Sequence, residues 1–137
     1  MSYLLDTGFL YGLLNAREQS HKVVRQAAER LDAIPFLPTP VTVELAYLIR
    51  RDLGAEALAR FMSDLAQPRY ALIAPTDADY SRAAAIVLQY ADAQIDFVDA
   101  VLVAMAERLD IRRILTLDQR HFRLFRPRHC EAFELIP

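Results

Sequence analysis

A chain of 137 residues fits one domain, 1–137, and can bury enough surface to fold without disulfide or metal staples. Hydrophobic residues make up 54% of it and charged residues 25%, which excludes intrinsic disorder, and the lone Cys130 excludes both an internal disulfide framework and a multi-thiolate zinc centre. A net charge of −2 argues against a protein that coats nucleic acid nonspecifically. Tyr3-Leu4-Leu5 reads as a short buried strand ending at Asp6, and a short helix over Phe9–Asn15 follows. Ser20 is placed to cap a helix running to Leu31, with Val23, Val24, Ala27, Ala28 and Leu31 on one face. Ile34–Leu37 reads as a weak strand, after which Thr39-Pro40 supplies the N-cap and first residue of a helix to Leu53. Gly54 interrupts the chain, Ala55–Ala66 is a further helix and Tyr70–Ala74 a strand. Asp77–Ala91 and Asp96–Asp110 read as helices, Ile114–Leu117 as a strand ending at Asp118, and Phe133–Ile136 as a final strand. Strands separated by helices imply right-handed crossovers, hence an α/β fold with a parallel sheet sandwiched between helices.

The longest stretch without an acidic or basic residue is Ala33–Val43, 11 residues broken by three prolines, too short to span a bilayer. The N-terminus Met1-Ser2-Tyr3-Leu4-Leu5-Asp6 has no basic leader and meets an acid where an apolar signal core would run. A soluble cytoplasmic protein with no membrane partner is expected. Gly8, Gly12 and Gly54 are the only glycines, so neither a P-loop nor a dinucleotide fingerprint is available.

Four acids stand where solvent does not obviously take them. Asp6 and Asp118 each follow an apolar run at the carboxyl end of a strand, the edge along which open α/β sheets build their ligand sites. A strand-end Asp also serves as an Asx turn or a helix cap. Glu44 has Val41, Tyr47 and Leu48 as its helical neighbours, so it is expected to project from a mainly apolar face, where it needs an arginine or a metal ion as partner. Asp99 is the only charged residue between Phe97 and Ala106; Asp96, three residues before it, is the natural N-cap of that helix. Four such acids gathered without counter-charge repel one another, and Mg²⁺ or Mn²⁺ resolves that repulsion because hard cations prefer carboxylate oxygens. With no nucleophile motif present, metal-assisted phosphodiester hydrolysis is the chemistry this set suggests.

In order and spacing, Leu4-Leu5-Asp6-Thr7-Gly8-Phe9-Leu10, Val43-Glu44-Leu45, Asp96-Phe97-Val98-Asp99-Ala100 and Leu115-Thr116-Leu117-Asp118 resemble the four acidic motifs of PIN-domain nucleases, most of all the small VapC-like toxin ribonucleases of bacterial toxin–antitoxin pairs. The resemblance implies a five-stranded parallel sheet between helices and a Mg²⁺-dependent endoribonuclease in which water attacks the RNA. Carried over by motif position, Asp6, Glu44, Asp99 and Asp118 are the metal-binding and catalytic acids, and Thr7 and Thr116 match hydroxyl residues that line the site. Asp96 is an additional acid ahead of its motif. The resemblance further implies a cognate antitoxin and a homodimer.

Fifteen of the 16 basic residues are Arg, and six of these lie between Arg112 and Arg128. The arginine fork suits phosphate, so some of Arg120, Arg123, Arg126 and Arg128 are expected to contact RNA beside the strand that delivers Asp118; a solvated C-terminal face is the plainer alternative. A haloacid-dehalogenase-like phosphatase needs a second Asp where Gly8 stands, and a receiver domain needs a late lysine where the only lysine is Lys22. The remaining alternative is a non-catalytic PIN-fold module that binds RNA or protein. His21, His121 and His129 fit no common zinc spacing and are expected at the surface or against RNA.

Overall fold

The computed structural model describes residues 1–137. Tyr3–Leu5 (β1) is buried at every position, as a central parallel strand covered on both faces must be. Thr7–Leu14 (α1) and His21–Glu29 (α2) follow, then Phe36–Pro38 (β2), Thr39–Leu53 (α3), Ala55–Leu65 (α4) and Ala71–Ile73 (β3). The second half comprises Asp77–Gln89 (α5), a 3₁₀ turn at Ala91–Ala93, Phe97–Leu109 (α6), Arg113–Leu115 (β4), Gln119–Leu124 (α7) and Glu134–Ile136 (β5).

The five strands form one sheet in the order β3-β2-β1-β4-β5, every pair parallel, with Leu4 opposite both Phe36 and Ile114. The chain steps outward from β1 to β3, then returns to lay β4 against the other side of β1. Right-handed crossovers therefore put α1 to α4 on one face and α5 and α6 on the other. The direction of winding reverses between β1 and β4, so their carboxyl ends flank the sheet's switch point.

Most predicted elements are present, with shifted ends. Ser20 precedes α2 but makes no capping bond; its hydroxyl sits against Gly12, where an added Cβ would come within 2.8 Å of it. His21 Nδ1 instead meets the Gly12 carbonyl at 2.9 Å, joining α2 to α1. The helix expected to start after a Thr39 cap already includes Thr39, with Pro38 as its N-cap, so strand and helix abut. α7 has no counterpart in the sequence reading: six residues with Phe122 alone buried give no readable periodicity. Phe122 and Phe125 meet edge to face at 5.5 Å, and Phe125 meets Tyr90 at 5.1 Å, which seats α7 by the turn between α5 and α6.

The core holds 29 apolar residues. α6 is its centre: all nine residues from Val98 to Ala106 are buried, the mark of a helix covered all round. Two ion pairs lock α5 antiparallel to α6. Arg82 Nε donates to Glu107 at 2.7 Å, and Arg108 Nε to the Asp79 carboxylate at 2.9 Å. Asp79 also closes a capping box with Thr76, so one carboxylate fixes both the start of α5 and its partner helix. No helix is long and apolar enough to cross a membrane.

Candidate active site

Asp6 leaves β1 and caps α1, with Oδ1 accepting from the Thr7 amide at 2.9 Å. Its Oδ2 accepts from Thr116 Oγ1 at 2.7 Å, across the seam between β1 and β4. Thr116 Oγ1 in turn accepts the Asp118 amide at 2.9 Å. One buried hydroxyl thereby sets the spacing of the two strand-end acids. Asp118 then caps α7, accepting the His121 amide at 3.2 Å through Oδ1 and facing His121 Nδ1 at 2.8 Å through Oδ2.

Asp99 arrives from the opposite face of the sheet in the first turn of α6. It closes a capping box with Asp96, whose Oδ1 accepts the Asp99 amide at 2.9 Å. His121 Nδ1 lies 3.9 Å from Asp99 Oδ2, and ligand atoms of Asp99, Asp118 and His121 all fall within 4.8 Å of one another.

The electrostatics of this cluster are unfavourable without a cation. Burial raises the Asp6 carboxyl to about 6, against the opposing pull of its Thr116 and Thr7 hydrogen bonds, and the charges of Glu44 and Asp118 push it the same way. Burial, then the charges of Asp96 and Asp6, raise Asp99 to about 7. The hydrogen bond to Asp118 raises His121. No Arg or Lys lies within 4.0 Å of the Asp6, Glu44, Asp99 or Asp118 carboxylates; His121 is the only cationic side chain that close. Thr7 Oγ1, beside Asp6, is buried without a hydrogen-bond partner. Carboxylates in excess, no arginine neutralising them and an orphaned hydroxyl are the donor chemistry a hard divalent cation satisfies.

Two expectations about the site need correction. Glu44 does not project from a buried face. The buried stripe of α3 is Val41, Leu45 and Ile49, and Glu44 lies off it on an exposed side with Val43 and Tyr47. Tyr47, read as an apolar neighbour, is itself 65% exposed. Glu44 still shares a hollow with Tyr80, Phe97 and Val98, which brings it to the edge of the Asp6 site. The four arginines, secondly, do not form one rim. Arg120 is exposed; Arg123 bonds Gln119 at 2.8 Å and stays at the surface. Arg126 folds its guanidinium back onto the carbonyls of Arg123 and Phe125 at 2.8 and 3.0 Å. The Arg128 amide donates to Glu107 at 2.7 Å, and Glu107 stands about 12 Å along α6 from Asp99. Asp96 is exposed, with Oδ1 committed to its cap, as expected. His121 was not singled out for the site, although an i, i+3 pair with Asp118 is readable once a helix is assumed to begin there.

A family model described as PIN domain matches residues 3–126. The chain is 35% identical to Ribonuclease VapC26 of Mycobacterium tuberculosis over 135 residues, 98% of this chain and 99% of that protein. Among solved structures it is similar to Mycobacterium tuberculosis VapC20, a Sarcin-Ricin loop cleaving toxin, with a TM-score of 0.81 and 18% identity over 88% of this chain and 92% of that one. VapBC2 of Rickettsia felis, bound to a DNA fragment from its promoter, matches with a TM-score of 0.71 and 15% identity over the full length of both chains. At these identities the solved structures speak for the fold.

Proposed function

This chain belongs to the PIN-domain family, and from that premise we propose that residues 1–137 form a cytoplasmic, Mg²⁺-dependent endoribonuclease, the toxin of a toxin–antitoxin pair. The observation that carries the reading is the grouping of Asp99, Asp118 and His121, with ligand atoms within 4.8 Å of one another, beside the buried Asp6 that Thr116 ties to Asp118, and with no Arg or Lys partner. The full-length similarity to a ribonuclease supports it. When bound, the ion polarises a water for attack on the RNA phosphodiester and stabilises the departing oxygen.

The residues of the chain have distinct tasks in this reading. Asp6, Asp99 and Asp118 hold the ion, and Glu44 closes the site from α3, directly or through water. Thr116 fixes the Asp6–Asp118 spacing through its 2.7 and 2.9 Å bonds, and Thr7 offers its unpartnered hydroxyl at the floor. Asp96 holds the first turn of α6, and so the direction of Asp99. Arg120 and Arg123, on the helix that Asp118 starts, are best placed to meet RNA phosphates; such contacts position the strand and carry little sequence information. An antitoxin segment covering this groove and a second copy of the chain complete the proposed partners; a toxin–antitoxin complex from Klebsiella pneumoniae is similar in fold (TM-score 0.67).

The test is cleavage of single-stranded RNA by the purified chain in Mg²⁺, in EDTA, and by Asp99→Asn. Cutting that needs both the ion and Asp99 supports the reading. Absence of cutting by the parent in any divalent cation leaves a binding module instead.

A further inference from the structure

We propose that His121 is itself a ligand of this centre, through Nδ1, and that its nitrogen makes the site prefer Mn²⁺ over Mg²⁺; the inference rests on the metal-dependent reading above. Nδ1 lies 2.8 Å from Asp118 Oδ2 and 3.9 Å from Asp99 Oδ2. Two atoms bound to one octahedral ion at ~2.1 Å are about 3 Å apart when adjacent and about 4.2 Å apart when opposite. The 2.8 Å separation is close to the adjacent value and the 3.9 Å separation to the opposite one, and all three ligand atoms lie within 4.8 Å of one another, so modest side-chain adjustment would let one ion take all three donors.

The ring is also held for the task. The His121 amide is bound by Asp118 Oδ1 at 3.2 Å, which fixes the residue in the first turn of α7. Nδ1 faces the acids; in the metal-free protein it donates to Asp118, and a metal taking its lone pair would displace that proton and leave the other on Nε2. Mg²⁺ prefers oxygen and retained water, whereas first-row transition ions gain from an imidazole. The share of any Mn²⁺ preference that belongs to the nitrogen is the part that His121→Gln removes.

Pulsed electron paramagnetic resonance on the full chain loaded with Mn²⁺ reads the bond directly. The parent should show ¹⁴N modulation that changes to the ¹⁵N pattern when histidine is ¹⁵N-labelled, and His121→Gln should lose it. His21 and His129 are engaged with the carbonyls of Gly12 and Ile111 at 2.9 and 2.6 Å, so the signal belongs to His121. Calorimetric titration should give Mn²⁺ at least about ten-fold tighter binding than Mg²⁺ in the parent, with the ratio falling to within about three-fold in His121→Gln. Absence of nitrogen modulation in the parent, or an unchanged ratio in the variant, overturns the proposal and leaves His121 as a positioning residue for Asp118. Should the variant not fold, the labelled parent decides alone. RNA cutting without nitrogen modulation sinks this inference and spares the nuclease reading; nitrogen modulation without cutting does the reverse.

Discussion

Replacing Asp6 with Asn should flatten the pH dependence of the metal-free protein. Asp6 is 7% exposed and its carboxyl is raised to about 6, so the folded state holds its proton more tightly than the unfolded chain does. Stability from this group is therefore fully present below the unfolded value near 4 and is lost as pH rises through about 6. The total is roughly 3 kcal/mol, of which about half is lost between pH 5 and pH 8. Asp99, raised to about 7, and His121, also raised, act in the same direction over that interval. Asp52, Asp79 and Glu107 have lowered values, and their contribution fades only in more acidic solution. Asn is nearly isosteric and can still accept from the Thr7 amide, while the Thr116 hydroxyl can turn to accept from the new amide group. Denaturant unfolding in EDTA at pH 5 and pH 8 is the assay. The parent should be less stable at pH 8, and the stability difference should move by roughly 1 to 2 kcal/mol in favour of Asp6→Asn over that interval. A parent equally stable at both values, or a variant that loses as much as the parent, would refute the claim that Asp6 is a strained charge.

Mg²⁺ at millimolar concentration should raise the melting temperature of the parent and leave Asp118→Asn nearly unmoved, because ligand binding to the folded state stabilises by mass action and the variant binds less; thermal melts with and without the ion measure this. Asp96→Ala should cost about 1 kcal/mol through loss of the α6 cap, whereas Asp96→Ser, which still caps, should keep both stability and cleavage well below the melting temperature. Loss of cleavage in Asp96→Ser with an unchanged melt would place Asp96 at the ion. Arg120→Gln with Arg123→Gln should weaken binding to all RNAs and lower the salt slope by roughly one per lost contact, with Arg128→Gln as the unaffected control. Equal effects of all three would mean that the RNA path runs along α6 to its far end.

The acids were readable because the sequence around each is otherwise apolar: a charge inside Phe97–Ala106 or directly after Leu4-Leu5 has few structural explanations. The parallel sheet followed from the alternation of elements, and the nuclease family from four motifs in order. Glu44 was misread because its neighbours were counted without knowing which stripe of α3 faces inward. Val41, Leu45 and Ile49 form that stripe, and Val43 and Tyr47 are apolar side chains left outside it. The four arginines were grouped by proximity along the chain, and the turn after α7 carries Arg128 to the opposite end of α6.

By itself the sequence determined the class of fold, the strand ends that carry Asp6 and Asp118, and the cap that Asp96 places on the helix of Asp99. Each is a local matter of side-chain periodicity and hydrogen-bonding chemistry. Tertiary structure alone decided that Thr116 bridges Asp6 and Asp118, residues brought together by the pairing of β1 with β4, and that the helix carrying the local Asp118–His121 pair sets His121 within 3.9 Å of Asp99. Contacts between groups 22 and 110 positions apart depend on how the strands are ordered and which way each crossover turns, and no residue pattern along the chain encodes those distances.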